Sequence, residues 1–193
     1  MKQLLCILLS LLLAFSAFSC MPEIEPGEPG VNHSSTDSKN ANSNQFEPYT
    51  HLDVLTSIRD FLENAGYDSH IEFETKPKQS NGNQSYIGSC IGGLLILGML
   101  EHDGVLQNVS VTTPMYNTNK GALYTTAEEF GKAMSIVCFT AVAFLPQDQK
   151  EAALEAISSG LRQNSNGGYS SQYNDGEWSY TFNSNRMIME CIV

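Results

Sequence analysis

Basic residues are scarce in this chain. Lys and Arg number 10 against 21 Asp and Glu, a formal net charge of −11 at pH 7. A surface of that sign repels phosphate backbones and releases no counterions, so no nucleic-acid partner is expected. Phosphate-cradling loops are missing too: Gly92-Gly93 and Gly167-Gly168 are not followed by Lys-Ser/Thr and open no helix. Gly88-Ser89-Cys90-Ile91-Gly92 has the small residues of a nucleophile elbow but not the G-x-S-x-G order. Histidine is rare, and the two trios with ligand-type residues, His70/Glu72/Glu74 and Glu101/His102/Asp103, fall on a polar strand face and a hairpin tip. Both read as solvated surface, so no metal and no cofactor are expected. No internal repeat is visible.

Only one long apolar run occurs, Leu4 to Ala17, behind the basic Lys2 and ahead of Ala17-Phe18-Ser19-Cys20. The run falls short of the roughly 20 residues of a membrane span. Its three-part plan is that of a secretory signal peptide over residues 1–19. A Cys directly after a small residue resembles the lipobox of bacterial lipoproteins, and that resemblance implies lipidation of Cys20 as the first mature residue. Here Ala17 stands where the common lipobox has Leu, with bulky Phe18 next. Ala17-x-Ser19 also meets the small-x-small rule of ordinary cleavage, which would leave a secreted protein instead. With acyl chains such as palmitate contributing about 0.8 kcal/mol per buried CH2, two or more anchor stably.

Residues 20–49 read as a lipid-anchored, disordered linker. Pro22, Pro26 and Pro29 lead into a polar run from Asn32 to Asn40, with Pro48 beyond it, a stretch that cannot bury enough apolar surface to offset its ordering entropy. Glu23, Glu25 and Glu28 close behind Cys20 resemble the acidic signals that send lipoproteins to the cell surface in some bacterial groups. The expected location is therefore the cell envelope, at the outer membrane.

Residues 50–193 are long enough for one domain with its own core. Thr50 with Asp53 predicts a helix start, and Leu52, Leu55, Ile58, Leu62 and Ala65 an apolar stripe that Gly66 ends. Ile71, Phe73 and Thr75 alternate with His70, Glu72 and Glu74 as a half-buried strand. Tyr86 to Leu100 is apolar yet holds Gly88, Gly92, Gly93 and Gly98, which predicts one central strand with a glycine bulge. Asp103-Gly104 predicts a hairpin, and Val105 to Thr113 the returning strand. Thr126 with Glu129 predicts a second helix reaching Leu145. Asp148 with Glu151 predicts the cap of a third, after Pro146. Gln163 to Gly168 reads as a loop, and Trp178, Tyr180 and Phe182 as one face of a strand before a last strand, Met187 to Val193. The expectation is an α+β fold: an antiparallel sheet of about five strands with about three helices, in the order α-β-β-β-α-α-β-β. That order distantly resembles secretion-chaperone-like domains and small lipoprotein modules.

Cys90, Cys138 and Cys191 all lie in apolar surroundings and read as buried thiols, with a bridge from Cys138 to Cys191 or Cys90 as the alternative. Tyr169, Tyr173, Trp178 and Tyr180, interleaved with Ser, Asn and Gln, are the candidate ligand-binding residues, because aromatic and amide side chains suit glycan or peptide surfaces. Alternating strands would also send half of these rings into the core. No catalytic residue is singled out. The expected function is a membrane-anchored, non-catalytic binding or envelope-assembly module with a protein, peptide or glycan partner. The alternative is an exported hydrolase whose Ser or Cys meets a His only in three dimensions.

Overall fold

Thr50 starts the first helix, α1 (His51–Asn64), through a reciprocal capping box in the computed structural model, which describes residues 49–193. Its hydroxyl accepts the Asp53 N–H while Asp53 Oδ2 accepts the Thr50 N–H at 2.7 Å. Val54, Leu55, Ile58 and Leu62 are its buried stripe, and Leu52 stays outside. At the far end Tyr67 N–H reaches Leu62 O at 2.8 Å and Gly66 N–H reaches Glu63 O at 3.0 Å. This Schellman closure needs a left-handed residue, and Gly66 supplies it at φ 75°. The expected signal peptide, Cys20 and nearly all of the linker lie outside the described residues.

Strands β1 (Ile71–Thr75), β2 (Asn83–Cys90), β3 (Leu95–His102) and β4 (Val105–Pro114) follow, then a ribbon of β5 (Tyr116–Asn117) and β6 (Gly121–Ala122). Helices α2 (Ala127–Ala141) and α3 (Gln147–Ser159) come next. Strands β7 (Arg162–Gln163), β8 (Tyr169–Asn174), β9 (Ser179–Ser184) and β10 (Ile188–Ile192) close the chain. One antiparallel sheet runs β1-β2-β3-β4-β10-β9-β8-β7.

The expected five-stranded α+β arrangement is thereby corrected: the domain is mostly sheet, eight strands in one layer with three helices. Two segments make the difference. Tyr86 to Leu100 is not one strand. Ile91, Gly92 and Gly93 take φ values of 52°, 61° and 83°, and Gly93 N–H returns to Cys90 O at 3.1 Å. Three successive positive φ angles reverse the chain, so the glycine pair is a turn and Cys90 lands opposite Leu95. The bulge sits elsewhere, where the β3–β4 register shifts between Leu100 and Glu101.

The second segment is β7 and β8. Asn164 organises their turn: its Oδ1 accepts the N–H groups of Asn166 and Gly168, and its Nδ2 donates to Ser184 O at 2.8 Å. Tyr169 to Asn174 then pairs with β9 despite its polar composition, because only one of its faces meets the core.

Two helix boundaries also shift. α2 has the expected capping box but ends at Ala141, with Val142 to Leu145 in turns. α3 starts after Pro146 with no side-chain cap, so Asp148 and Glu151 do not play the predicted role. Proline fits this position because its missing N–H would have no helical partner there.

α1 lies against β3 and α2, α2 over β4 and β10, and α3 over β8 and β9. The core they cover includes Tyr86, Leu97, Val109, Met134, Tyr180 and Met189. The registers put Ile87, Ile96, Ser110, Thr112, Glu190 and Thr181 on the opposite face, where no described strand residue is buried.

Candidate functional site

Two features could carry function: a buried polar cluster under α1 and the bare face of the sheet. The cluster grows out of strand alternation. Leu95, Leu97 and Met99 point into the core, and the next residue in that series is Glu101, 4% exposed. It is the only buried charged residue among those described. Burying a carboxylate is costly unless hydrogen bonds replace its water, and three do. Glu101 Oε1 accepts the His51 N–H at 2.6 Å and faces His51 Nδ1 at 2.7 Å, while Oε2 accepts the Tyr86 hydroxyl at 2.8 Å. The first of these donors lies in the opening turn of α1, so Glu101 also meets the positive end of that helix.

The His51 ring stacks on Tyr86, centroids 3.9 Å apart and planes 13° apart. Burial pushes Glu101 up, but the bonds from His51 and Tyr86 outweigh it and hold the carboxyl below its usual range. Burial first, and then the neighbouring carboxylate, push the Tyr86 hydroxyl up to about 12. A carboxylate can only accept, so the His51 ring donates to it through Nδ1–H. Chemically this is an oriented imidazole. Among the described residues its ring hydrogen-bonds to Glu101, and no thiol or hydroxyl nucleophile joins it.

The metal-type trios do not assemble. Glu101 turns inward while His102 and Asp103 stay exposed, with His102 Nδ1 on Asn83 Oδ1 at 2.9 Å and Asp103 on Lys78 Nζ at 3.1 Å. His70 Nε2 lies 3.8 Å from Glu72 at the surface. Among the described residues no group of three or more His, Cys, Asp or Glu could hold a metal ion. The three thiols are free and buried; Cys138 is hydrogen-bonded to Cys191, a contact that with burial pushes the Cys138 thiol up. Burial likewise pushes Cys90 up to about 11.

The four candidate ligand-binding aromatics are placed at the helix-covered side. Tyr180 is fully buried, its hydroxyl on Asp175 Oδ2 at 2.7 Å. Tyr173 stacks on it with centroids 5.5 Å apart. Tyr169 packs on Phe130, and Trp178, just ahead of β9, packs on Phe144 at 5.3 Å and Tyr49 at 6.4 Å. Tyr169, Tyr173 and Trp178 each keep part of their surface open. Local spacing does not bring out the His51 cluster, because Glu101 stands in sequence beside the hairpin tip. The alternation Leu95, Leu97, Met99, Glu101 was the available signal.

The bare face is the larger surface. It mixes Ser, Thr, Asn and Gln with exposed Ile87, Ile96 and Ile188, at 48%, 47% and 39% exposure. Isoleucine between short hydroxyl side chains gives shallow apolar contact framed by hydrogen-bonding groups. Among the described residues, no helix is long and apolar enough to cross a membrane. Compared with known proteins, the chain matches no family model, no curated protein and no solved structure.

Proposed function

We propose that this chain is a non-catalytic binding module, held at the bacterial cell envelope by lipid on Cys20, that meets a protein, peptide or glycan partner with the bare face of its sheet. The observation that carries the binding half is that none of the described strand residues on that face is buried, beside an opposite face that holds the core. The anchor half is supported by the apolar run and by Cys20 after a small residue. Phase partitioning tests it: the native chain should enter the detergent phase, and Cys20→Ala should stay aqueous or fail to mature. A native chain that stays aqueous with an unmodified Cys20 at its N-terminus would sink the anchor.

A second reading, an exported hydrolase, draws on the His51–Glu101 pair, because a carboxylate-held imidazole is what nucleophile activation uses. It ranks second because His51 has no hydroxyl or thiol partner among the described residues. Ester hydrolysis by the native chain that disappears in His51→Ala would reverse the ranking.

A further inference from the structure

The free edge at β1 continues past its last strand residue. Lys76 N–H still bonds Ser85 O at 2.9 Å and Gln79 N–H bonds Asn83 O at 2.8 Å, so the backbone stays alongside β2 to residue 79. In an antiparallel ladder every second residue turns both backbone groups to the same neighbour. Glu72 and Glu74 therefore share Lys76's orientation and spend theirs on β2. Phe73 and Thr75 aim theirs at the open edge.

The side chains along this edge form a charge palindrome. Glu72-Phe73-Glu74-Thr75-Lys76-Pro77-Lys78 reads acid, acid, centre, base, base at alternate positions. Glu72 and Glu74 are on the bare face by the period of two, Lys76 joins them through its bond to Glu74, and Lys78 lies exposed just past the strand. We propose that β1 is a dimerisation edge that pairs with β1 of a second copy of this chain, antiparallel, about a two-fold axis at Thr75. This register sets Glu74 opposite Lys76 of the second copy and Glu72 opposite Lys78, twice each. It sets Thr75 against Thr75, with both of its outward backbone groups paired. On the helix side it covers Phe73, 42% exposed in the single chain, with the partner's Pro77. Pro77 has no N–H to lose, and its carbonyl accepts from Phe73. A centre on Phe73 would instead oppose Glu72 to Glu74 and repel.

The charges are free to exchange partners. The Glu74–Lys76 pair, at 2.7 Å within one chain, and the Lys78–Asp103 pair, at 3.1 Å, are both solvent-exposed and hold their members only weakly. At the other end of the sheet β7 is two residues long, too short for such an edge. The two sheets would join into one, with their bare faces continuous. That outcome is independent of the ligand proposed above.

Charge swapping tests it on the full chain. Sedimentation of the native chain should show dimers that weaken as salt rises. Glu72→Lys with Glu74→Lys makes an all-basic edge, and Lys76→Glu with Lys78→Glu an all-acidic one. Each should sediment as a monomer with unchanged circular dichroism, and an equimolar mixture should regain the dimer. That rescue separates a lost interface from a lost fold. A monomeric native chain at tens of micromolar, or charge variants that stay dimeric, would overturn the proposal.

Discussion

On the helix side of β10, Met189 and Cys191 are fully buried, whereas Ile188, Glu190 and Ile192 on its other side keep contact with water. β9 repeats the contrast, with Tyr180 and Phe182 fully buried and Ser179 and Asn183 exposed. The strands are the same and the pairing is shared, so the difference lies in what covers each face. α2 and α3 exclude water from one side, and tight packing there makes every methylene count. The other side keeps its water. Stability is therefore concentrated on one face.

Phe182→Ala tests that contrast hardest. Deleting a buried ring should cost about 3–5 kcal/mol, against less than about 0.5 kcal/mol for Thr181→Ala one residue away on the bare face. Urea unfolding of the two variants measures both, and equal losses would break the comparison.

Glu101→Gln should come next, at about 1–3 kcal/mol, since the buried donors of His51 and Tyr86 would face a poorer acceptor. Its pH signature has a definite sign. Hydrogen bonds hold the folded carboxyl below its unfolded value, so its contribution is present above about pH 4.3, the unfolded value. That contribution is lost as pH falls through the folded value. The native chain should therefore destabilise on acidification more steeply than the Gln variant. Parallel acid limbs for the two would show that Glu101 is not the group responsible.

Trp178 sharpens the boundary between covered and open surface. Packed on Phe144 and Tyr49 but only half-buried, it should emit to the blue of a free indole and still respond partly to quencher. Full quenching would place the β8–β9 end of the core in water. The smallest effect is expected from Ile96→Thr, 47% exposed in the middle of the bare face. It should leave the melting temperature nearly unchanged, and a large loss would mean that something covers this face.

Much of the local structure was legible. The boxes at Thr50 and Thr126, the Gly66 stop and the Asp103-Gly104 turn each follow from residues within one turn of one another. At that turn Asp103 and Gly104 take φ values of 49° and 84°, the pair of positive angles that a two-residue hairpin requires. The sheet was less legible because its signals compete. Gly92-Gly93 serves a bulge or a turn equally well in sequence, and only the pairing of Cys90 with Leu95 selects the turn. Polar β8, just past the Gln163 to Gly168 loop, shows as a strand of its own only with β9 beside it.

The sequence by itself determined the starts of α1 and α2, the reversal at Asp103-Gly104 and the alternation within single strands, because those choices rest on steric and hydrogen-bond rules acting over a few residues. Tertiary structure alone decided that β10 inserts between β4 and β9, bringing Thr112 within 3.3 Å of Glu190 across 78 residues. It alone set Glu101 beneath the first turn of α1. Pairings that distant carry no local mark. They are chosen by which arrangement buries the apolar faces of all the elements at once.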